Sequence, residues 1–152
     1  GTCWLGGTFS RSDVTAAASP APDERIAAIV VLGIAADRER LVSRGMQKFA
    51  RSRRRRAFDD LFDIGDNRQW SPALELMRLA PSALNGQPWR AGAEGNAIHF
   101  FCTNPEGLGL LDTGIGLAHF AAGTDKPGEW KIIDSATALR PGWSYVISFL
   151  TE

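Results

Sequence analysis

Apolar positions along the chain repeat with two different periods, one of strands and one of helices. Ile26-Ala27-Ala28-Ile29-Val30-Val31-Leu32-Gly33-Ile34 is rich in β-branched residues and nearly free of polar ones. That composition predicts a central strand covered on both faces. A strand is also predicted from Trp89, paired with Ala97–Cys102 across a turn near 92–96, and Ser144–Phe149 reads as a closing strand. Leu74, Met77 and Leu79-Ala80 fall at helical spacing until Pro81 interrupts them. Ser71 reads as the N-cap of that helix, with Pro72 at the first helical position, where a missing N–H costs nothing. Leu110–Ala122 predicts a further helix, with Leu111, Ile115, Ala118 and His119 or Ala122 as its apolar face. A short helix is expected over Ser12–Ala18, capped by Ser12 or Asp13 and broken by Ser19-Pro20-Ala21-Pro22-Asp23. Asp37–Arg56 is charged and helix-permissive, and Gly65, Asp66 and Asn67 mark a turn that makes residues 64–69 the best linker. The mixture predicts an α+β fold.

Composition narrows the classes. A chain of 152 residues, 44% hydrophobic and 22% charged, can bury a core as one domain or two small ones. Its 17 Lys+Arg balance 17 Asp+Glu, which removes the bulk attraction of a dedicated nucleic-acid or membrane-surface protein. No nucleic-acid and no membrane partner is expected, and no apolar run approaches the roughly 20 residues that span a bilayer. Cys3 and Cys102 lie far apart, neither in a metal-ligand spacing, so neither a disulfide scaffold nor a metal site is expected and a reducing, cytoplasmic setting fits best. The chain opens on Gly1, with no secretory pattern, in a Gly/aromatic stretch typical of the middle of a fold. It reads as a fragment lacking an N-terminal part.

Candidate chemistry concentrates in Ala80-Pro81-Ser82-Ala83-Leu84-Asn85-Gly86-Gln87-Pro88-Trp89. Ser82, Asn85 and Gln87 offer donors and acceptors beside the backbone N–H groups of a tight turn, which suits a polar ligand. The same residues also suit a plain turn, with Trp89 filling the core. Arg51-Ser52-Arg53-Arg54-Arg55-Arg56 reads as a solvated face neutralised by Asp59, Asp60 and Asp63, or as a nucleic-acid patch. Gly107-Leu108-Gly109-Leu110-Leu111-Asp112 departs from a dinucleotide fingerprint at its last position. His99 and His119 read as hydrogen-bonded structural histidines, Cys3 as an inert thiol, and Trp70, Trp130 and Trp143 as core or interface residues.

The Ala80–Arg90 segment closely resembles the APSxxNxQPW motif of the nitroreductase family, and Gly1-Thr2-Cys3-Trp4-Leu5-Gly6-Gly7 resembles that family's glycine loop beside the flavin ring. Val31–Ile34 and Arg54–Leu61 are similar to the family segments that lie between. The order of these pieces resembles the single-chain subgroup in which two nitroreductase-like halves are fused into a pseudo-dimer. Asp112–Phe120 is then similar to the helix leading, in each half, toward the next glycine loop. On this resemblance residues 1–65 are the end of one half and residues 66–152 are a second half.

The resemblance implies an α+β fold, a central sheet flanked by helices, and FMN reduced by NADH or NADPH for a nitroaromatic, quinone or similar small-molecule acceptor. Flavin contacts are implied for Trp4, Leu5, Gly6 and Gly7 on one wall and for Pro81, Ser82, Ala83, Asn85 and Gln87 on the other. Gly6 and Gly7 suit close approach of backbone N–H groups to the ring. Arg54 and Arg55 are the candidates for the phosphate, which arginine's planar fork meets with paired bonds. No catalytic side chain is singled out, since hydride transfer belongs to the cofactor. The family's Arg-x-Ser-x-Arg phosphate grip has no counterpart before Gly1. A monomeric pseudo-dimer or a homodimer is expected. The alternatives are a non-catalytic flavin-binding remnant and an interaction protein built on the basic patch.

Overall fold

The computed structural model describes residues 2–6, 9–34, 54–133 and 141–152. Contacts divide the chain into Gly1–Met46 and Gln47–Glu152. In the first unit, β1 (Thr2–Leu5) pairs antiparallel with β2 (Ile29–Leu32), running from Thr2 opposite Leu32 to Leu5 opposite Ile29. Helix α1 (Arg11–Ala18) stands between them in sequence. Its N-cap is Ser10, whose hydroxyl accepts the Asp13 N–H, and not the expected Ser12 or Asp13. Ser10 alone has the extended backbone that a cap requires, because Ser12 and Asp13 are already helical. Ser19 ends the helix with a left-handed backbone, φ 47°, and Pro20 follows.

The strand expected over Ile26–Ile34 is shorter and is not covered on both faces. Only Ile29–Leu32 is strand, in a two-stranded sheet, and Val30, Val31, Leu32 and Ile34 are exposed. β-Branched side chains favour extended backbone, but cover depends on neighbours that local sequence does not specify. The helix-permissive segment Asp37–Arg56 lies almost wholly outside the described residues.

The second unit is built on a five-stranded mixed sheet. It contains β3 (Phe62–Asp63), β4 (Trp89–Glu94), β5 (Ala97–Cys102), β6 (Gly128–Lys131) and β7 (Ser144–Thr151), in the order β3-β4-β5-β7-β6. β3 runs parallel to β4, and the other pairs are antiparallel. The hairpin turn between β4 and β5 is made at Gly95, φ 58°, and Asn96, within the span the alternation predicts. β6 was not legible as a strand, since Gly128 and Lys131 flank a single large apolar residue, Trp130.

Among the described residues three α-helices accompany this sheet: α2 (Phe58–Leu61), α3 (Ser71–Leu79) and α4 (Gly109–Gly123). Ser71 is not the N-cap of α3. A 3-10 turn over Arg68–Trp70 runs directly into the helix, and Ser71 is itself helical at φ −58°, ψ −42°. Pro72 still occupies the first turn, where no N–H is needed. Ala73, Leu74 and Met77 bury their side chains, and Trp70, Trp89, Ile98, Phe100, Phe120 and Phe149 complete the core. Several of its rings meet edge-on, among them Phe100 and Phe120 at 4.8 Å between centroids.

The buried stripe of α4 is Gly109, Asp112, Thr113, Gly116 and Phe120, not the large apolar residues that spacing suggested, and Ala118 is exposed. A Cβ on Gly116 would stand 3.1 Å from both Met77 Cε and the Trp89 ring. The helix therefore packs against that ring through its smallest residues, and Leu111 and Ile115 fall to the margin of the contact.

Candidate functional site

The loop after α3 carries the most unusual backbone among the described residues of the second unit. Pro81 cannot continue a helix, and the chain then passes through left-handed conformations at Leu84 (φ 49°), Asn85 (φ 57°) and Gln87 (φ 49°). None is glycine, and each such residue costs about 1–2 kcal/mol relative to ordinary backbone. A run like this persists only where its surroundings dictate it, which is a property of ligand clamps and active sites.

The surroundings are explicit. Ala83 N–H donates to Asp112 Oδ1 on α4 at 2.9 Å. Gln87 N–H donates to Ser82 Oγ at 3.0 Å, closing the turn with its own side chain. Asn85 Nδ2 donates to Arg54 O at 2.6 Å, and Gln87 Nε2 donates to the same carbonyl at 3.2 Å and to Asn85 O at 3.2 Å. Arg56 N–H in turn donates to Gln87 Oε1 at 2.9 Å. The loop and residues 54–56, some thirty positions apart, are thereby laced into one surface through side-chain amides.

Cations gather on that surface. Arg55 donates through Nε and Nη2 to Leu79 O, at 3.4 and 3.1 Å, and through Nη1 to Asn85 Oδ1 at 3.1 Å. It thus places its charge at the negative C-terminal end of α3. Arg78 forms a two-pronged pair with Glu75, at 2.6 Å for each bond, and donates to Arg56 O at 3.1 Å. That bond to Arg78 lowers the Glu75 pKa. Arg90 is buried and donates to the carbonyls of Gln87 and Trp89, while burial, and after it the charge of Arg56, lowers its pKa. Asp112, 4% exposed, has its pKa raised by burial, with the Ala83 N–H pulling the other way.

The structure therefore brings together Arg54, Arg55, Pro81, Ser82, Ala83, Asn85 and Gln87, which the sequence selected. Trp4 and Leu5 on β1, and Gly6 after it, belong to the other unit, and Gly7 lies outside the described residues. The polar side chains expected to face a ligand first serve the loop itself. Gln87 is 3% exposed with its amide bonded at both ends, and Asn85 holds Arg54 O. Ser82 Oγ accepts from Gln87, a bond that leaves its own O–H to donate elsewhere. Arg54 is exposed beside them.

Sequence reasoning gave no role to Asp112, Arg78 or Leu84. A signal for Asp112 existed: it is the lone acid in the mostly apolar stretch Leu108–Ala122, where a carboxylate needs a partner. Leu84 is 69% exposed despite being apolar, and only its backbone angle marks it.

Outside this surface His99 is hydrogen-bonded, as its sequence reading expected. His99 Nδ1 is 2.7 Å from Ser148 Oγ, which is 2.8 Å from Tyr145 Oη. Cys102 is a buried free thiol. Among the described residues no His/Cys/Asp/Glu group could hold a metal ion, and no helix is long and apolar enough to cross a membrane.

A crystal structure of a "putative nitroreductase" from Thermotoga maritima matches with a TM-score of 0.59 and 20% identity, covering 99% of this chain and 55% of that one. The likeness establishes the α+β fold, and the chain spans little more than half the length of that protein. No curated protein matches. The family model described as "Putative TM nitroreductase" matches residues 1–124, which include both the glycine loop and the Ala80–Arg90 segment. The chain belongs to the TM nitroreductase family.

Proposed function

We propose that this chain is part of an FMN-dependent oxidoreductase that takes electrons from NADH or NADPH and passes them to a nitroaromatic, quinone or similar small-molecule acceptor. Family membership supports the oxidoreductase class. The observation that carries the cofactor is the Pro81–Gln87 loop, whose left-handed residues are kept in place by bonds from α4 and from residues 54–56.

The donor set fits an anionic, polyhydroxylated group. Ser82 retains a hydroxyl proton to donate, and the exposed Arg54 guanidinium suits a phosphate dianion. Arg55, tied to Leu79 O and Asn85, adds positive potential and holds the loop in register with α3. Asn85 and Gln87 position Arg54 through its carbonyl and so orient the phosphate side of the site. FMN, when bound, supplies the hydride and electron-transfer chemistry. The protein's part is to bind it, orient it and keep charge beside it. The family resemblance also assigns flavin contacts to Trp4, Leu5, Gly6 and Gly7, which belong to the first unit.

The same reading makes residues 1–65 the end of one half and 66–152 most of a second. The assembly is then a monomeric pseudo-dimer or a homodimer, in a cytoplasmic setting, without a nucleic-acid or membrane partner. Purified chain should be yellow, or become so on addition of FMN, with quenching of the free-flavin fluorescence. A preparation that stays colourless and leaves added FMN unquenched overturns the reading. Oxidation of NAD(P)H with a nitroaromatic or quinone, absent without acceptor, separates an enzyme from a flavin-binding remnant.

A further inference from the structure

Asp112 is the buried carboxylate among the described residues, in the first turn of α4. Burying a carboxylate is unfavourable unless a specific donor compensates it, and the donor here belongs to another element, the Ala83 N–H at 2.9 Å. Ala83 opens the 3-10 turn Ala83–Asn85, so the bond is made at the entrance to the left-handed residues Leu84, Asn85 and Gln87. The other end of the same turn is closed by Gln87 N–H on Ser82 Oγ. Between these two bonds the backbone has little freedom. A neutral apolar side chain at 112 would suit the surrounding core better, yet it would leave the Ala83 N–H without its acceptor.

We propose that Asp112 is a positioning residue for the ligand-bearing loop: by accepting the Ala83 N–H it holds Leu84, Asn85 and Gln87 in the left-handed form that aligns Ser82 with Arg54. The effect on FMN rests on the function proposed above, whereas the effect on the loop does not. The carboxylate acts through geometry and touches no ligand. Because α4 also packs against Trp89 at Gly116, Asp112 ties the loop to the same helix that supports the start of β4.

The test compares the full chain with Asp112→Asn and Asp112→Ala by amide hydrogen exchange and by FMN titration. Asparagine keeps an acceptor oxygen, so exchange at Ala83 and Leu84 should stay within about threefold of the parent. In Asp112→Ala, exchange over 83–87 should rise by about tenfold or more, with the β4–β5 hairpin amides unchanged. The FMN dissociation constants should rank in the same order. Equal exchange in all three proteins, or an asparagine variant as fast as the alanine one, overturns the positioning role. Should Asp112→Ala not fold, the parent protein carries the test. Its Ala83 amide resonance should titrate together with the Asp112 carboxyl, and an Ala83 resonance blind to that titration overturns the proposal. Exchange that behaves as expected in a chain that never binds FMN overturns the flavin reading and leaves the positioning role standing.

Discussion

The side-chain amide of Gln87 accepts the backbone N–H of Arg56 through Oε1 at 2.9 Å, in a contact that spans 31 positions of sequence and is closed to solvent on the Gln87 side. Its Nε2 simultaneously donates to Arg54 O. One buried side chain therefore substitutes for a strand pairing between two segments that share none. Replacing Gln87 by Leu should cost about 2–4 kcal/mol, because the Arg56 N–H loses its acceptor and Arg54 O one of its two donors while similar volume is retained. Urea denaturation of the parent and the variant measures this, and a loss below about 0.5 kcal/mol would contradict the bracing role.

Leu84 combines 69% exposure with a left-handed backbone. Glycine removes the backbone penalty of about 1–2 kcal/mol and returns some of it as added freedom of the unfolded chain. Leu84→Gly is expected to leave stability unchanged or raise it by up to about 1 kcal/mol, while weakening FMN binding if the leucine covers the ligand. Thermal denaturation and flavin-fluorescence titration read the two effects separately.

Arg54 and Arg55 adjoin in sequence but have different surroundings. Arg55 caps the C-terminal carbonyl of α3, so Arg55→Ala should lower stability by about 1 kcal/mol as well as FMN affinity. Arg54 is exposed, and Arg54→Ala should keep stability within about 0.5 kcal/mol. Its effect belongs to the ligand, as a raised FMN dissociation constant with a flatter salt dependence. Equal salt slopes in parent and Arg54→Ala would place the phosphate elsewhere.

The raised pKa of Asp112 has a defined sign in stability. Folded protein holds this proton more tightly than unfolded protein, so its contribution is fully present below the ordinary aspartate value and is lost as pH rises through the folded pKa. Asp112→Asn removes that dependence. The stability of the variant relative to the parent should therefore improve from acid toward neutral pH, in denaturant titrations repeated across that window. Glu75 works oppositely, since Arg78 lowers its pKa and its contribution is lost as pH falls. It is present in both proteins and cancels in the difference.

Gly116→Ala tests the approach of α4 to the core. The added methyl would meet Met77 Cε and the Trp89 ring at 3.1 Å, so overpacking of about 1–3 kcal/mol is expected. Near-ultraviolet circular dichroism should register the shifted Trp89. A neutral substitution would mean that α4 can slide without cost, and with it Asp112 and the loop it holds.

Much of this was legible in the sequence wherever the cause is local. The Trp89 and Ala97–Cys102 strands follow from alternation and a turn, and the end of α3 follows from Pro81. The loop was legible as a motif, but its polar side chains were read as facing a ligand, since nothing local shows that Arg54 O and Arg56 N stand within reach. The burial of α4 was misread for a related reason. Apolar periodicity finds large side chains, whereas close packing against Trp89 selects glycines that carry no apolar signal.

The α+β class, the family and the segment that holds the candidate ligand loop are written in the sequence, because helix and strand periods, proline stops and a contiguous motif are properties of neighbouring residues. Three-dimensional packing alone sets the bond of Asp112 to this loop, the use of Gln87 on residues 54–56, and the capping of a helix by Arg55 while Arg54 faces solvent. Those outcomes depend on distances between residues far apart in the chain, and a hydrogen bond made over 2.9 Å leaves no trace in the spacing of residues 31 positions apart.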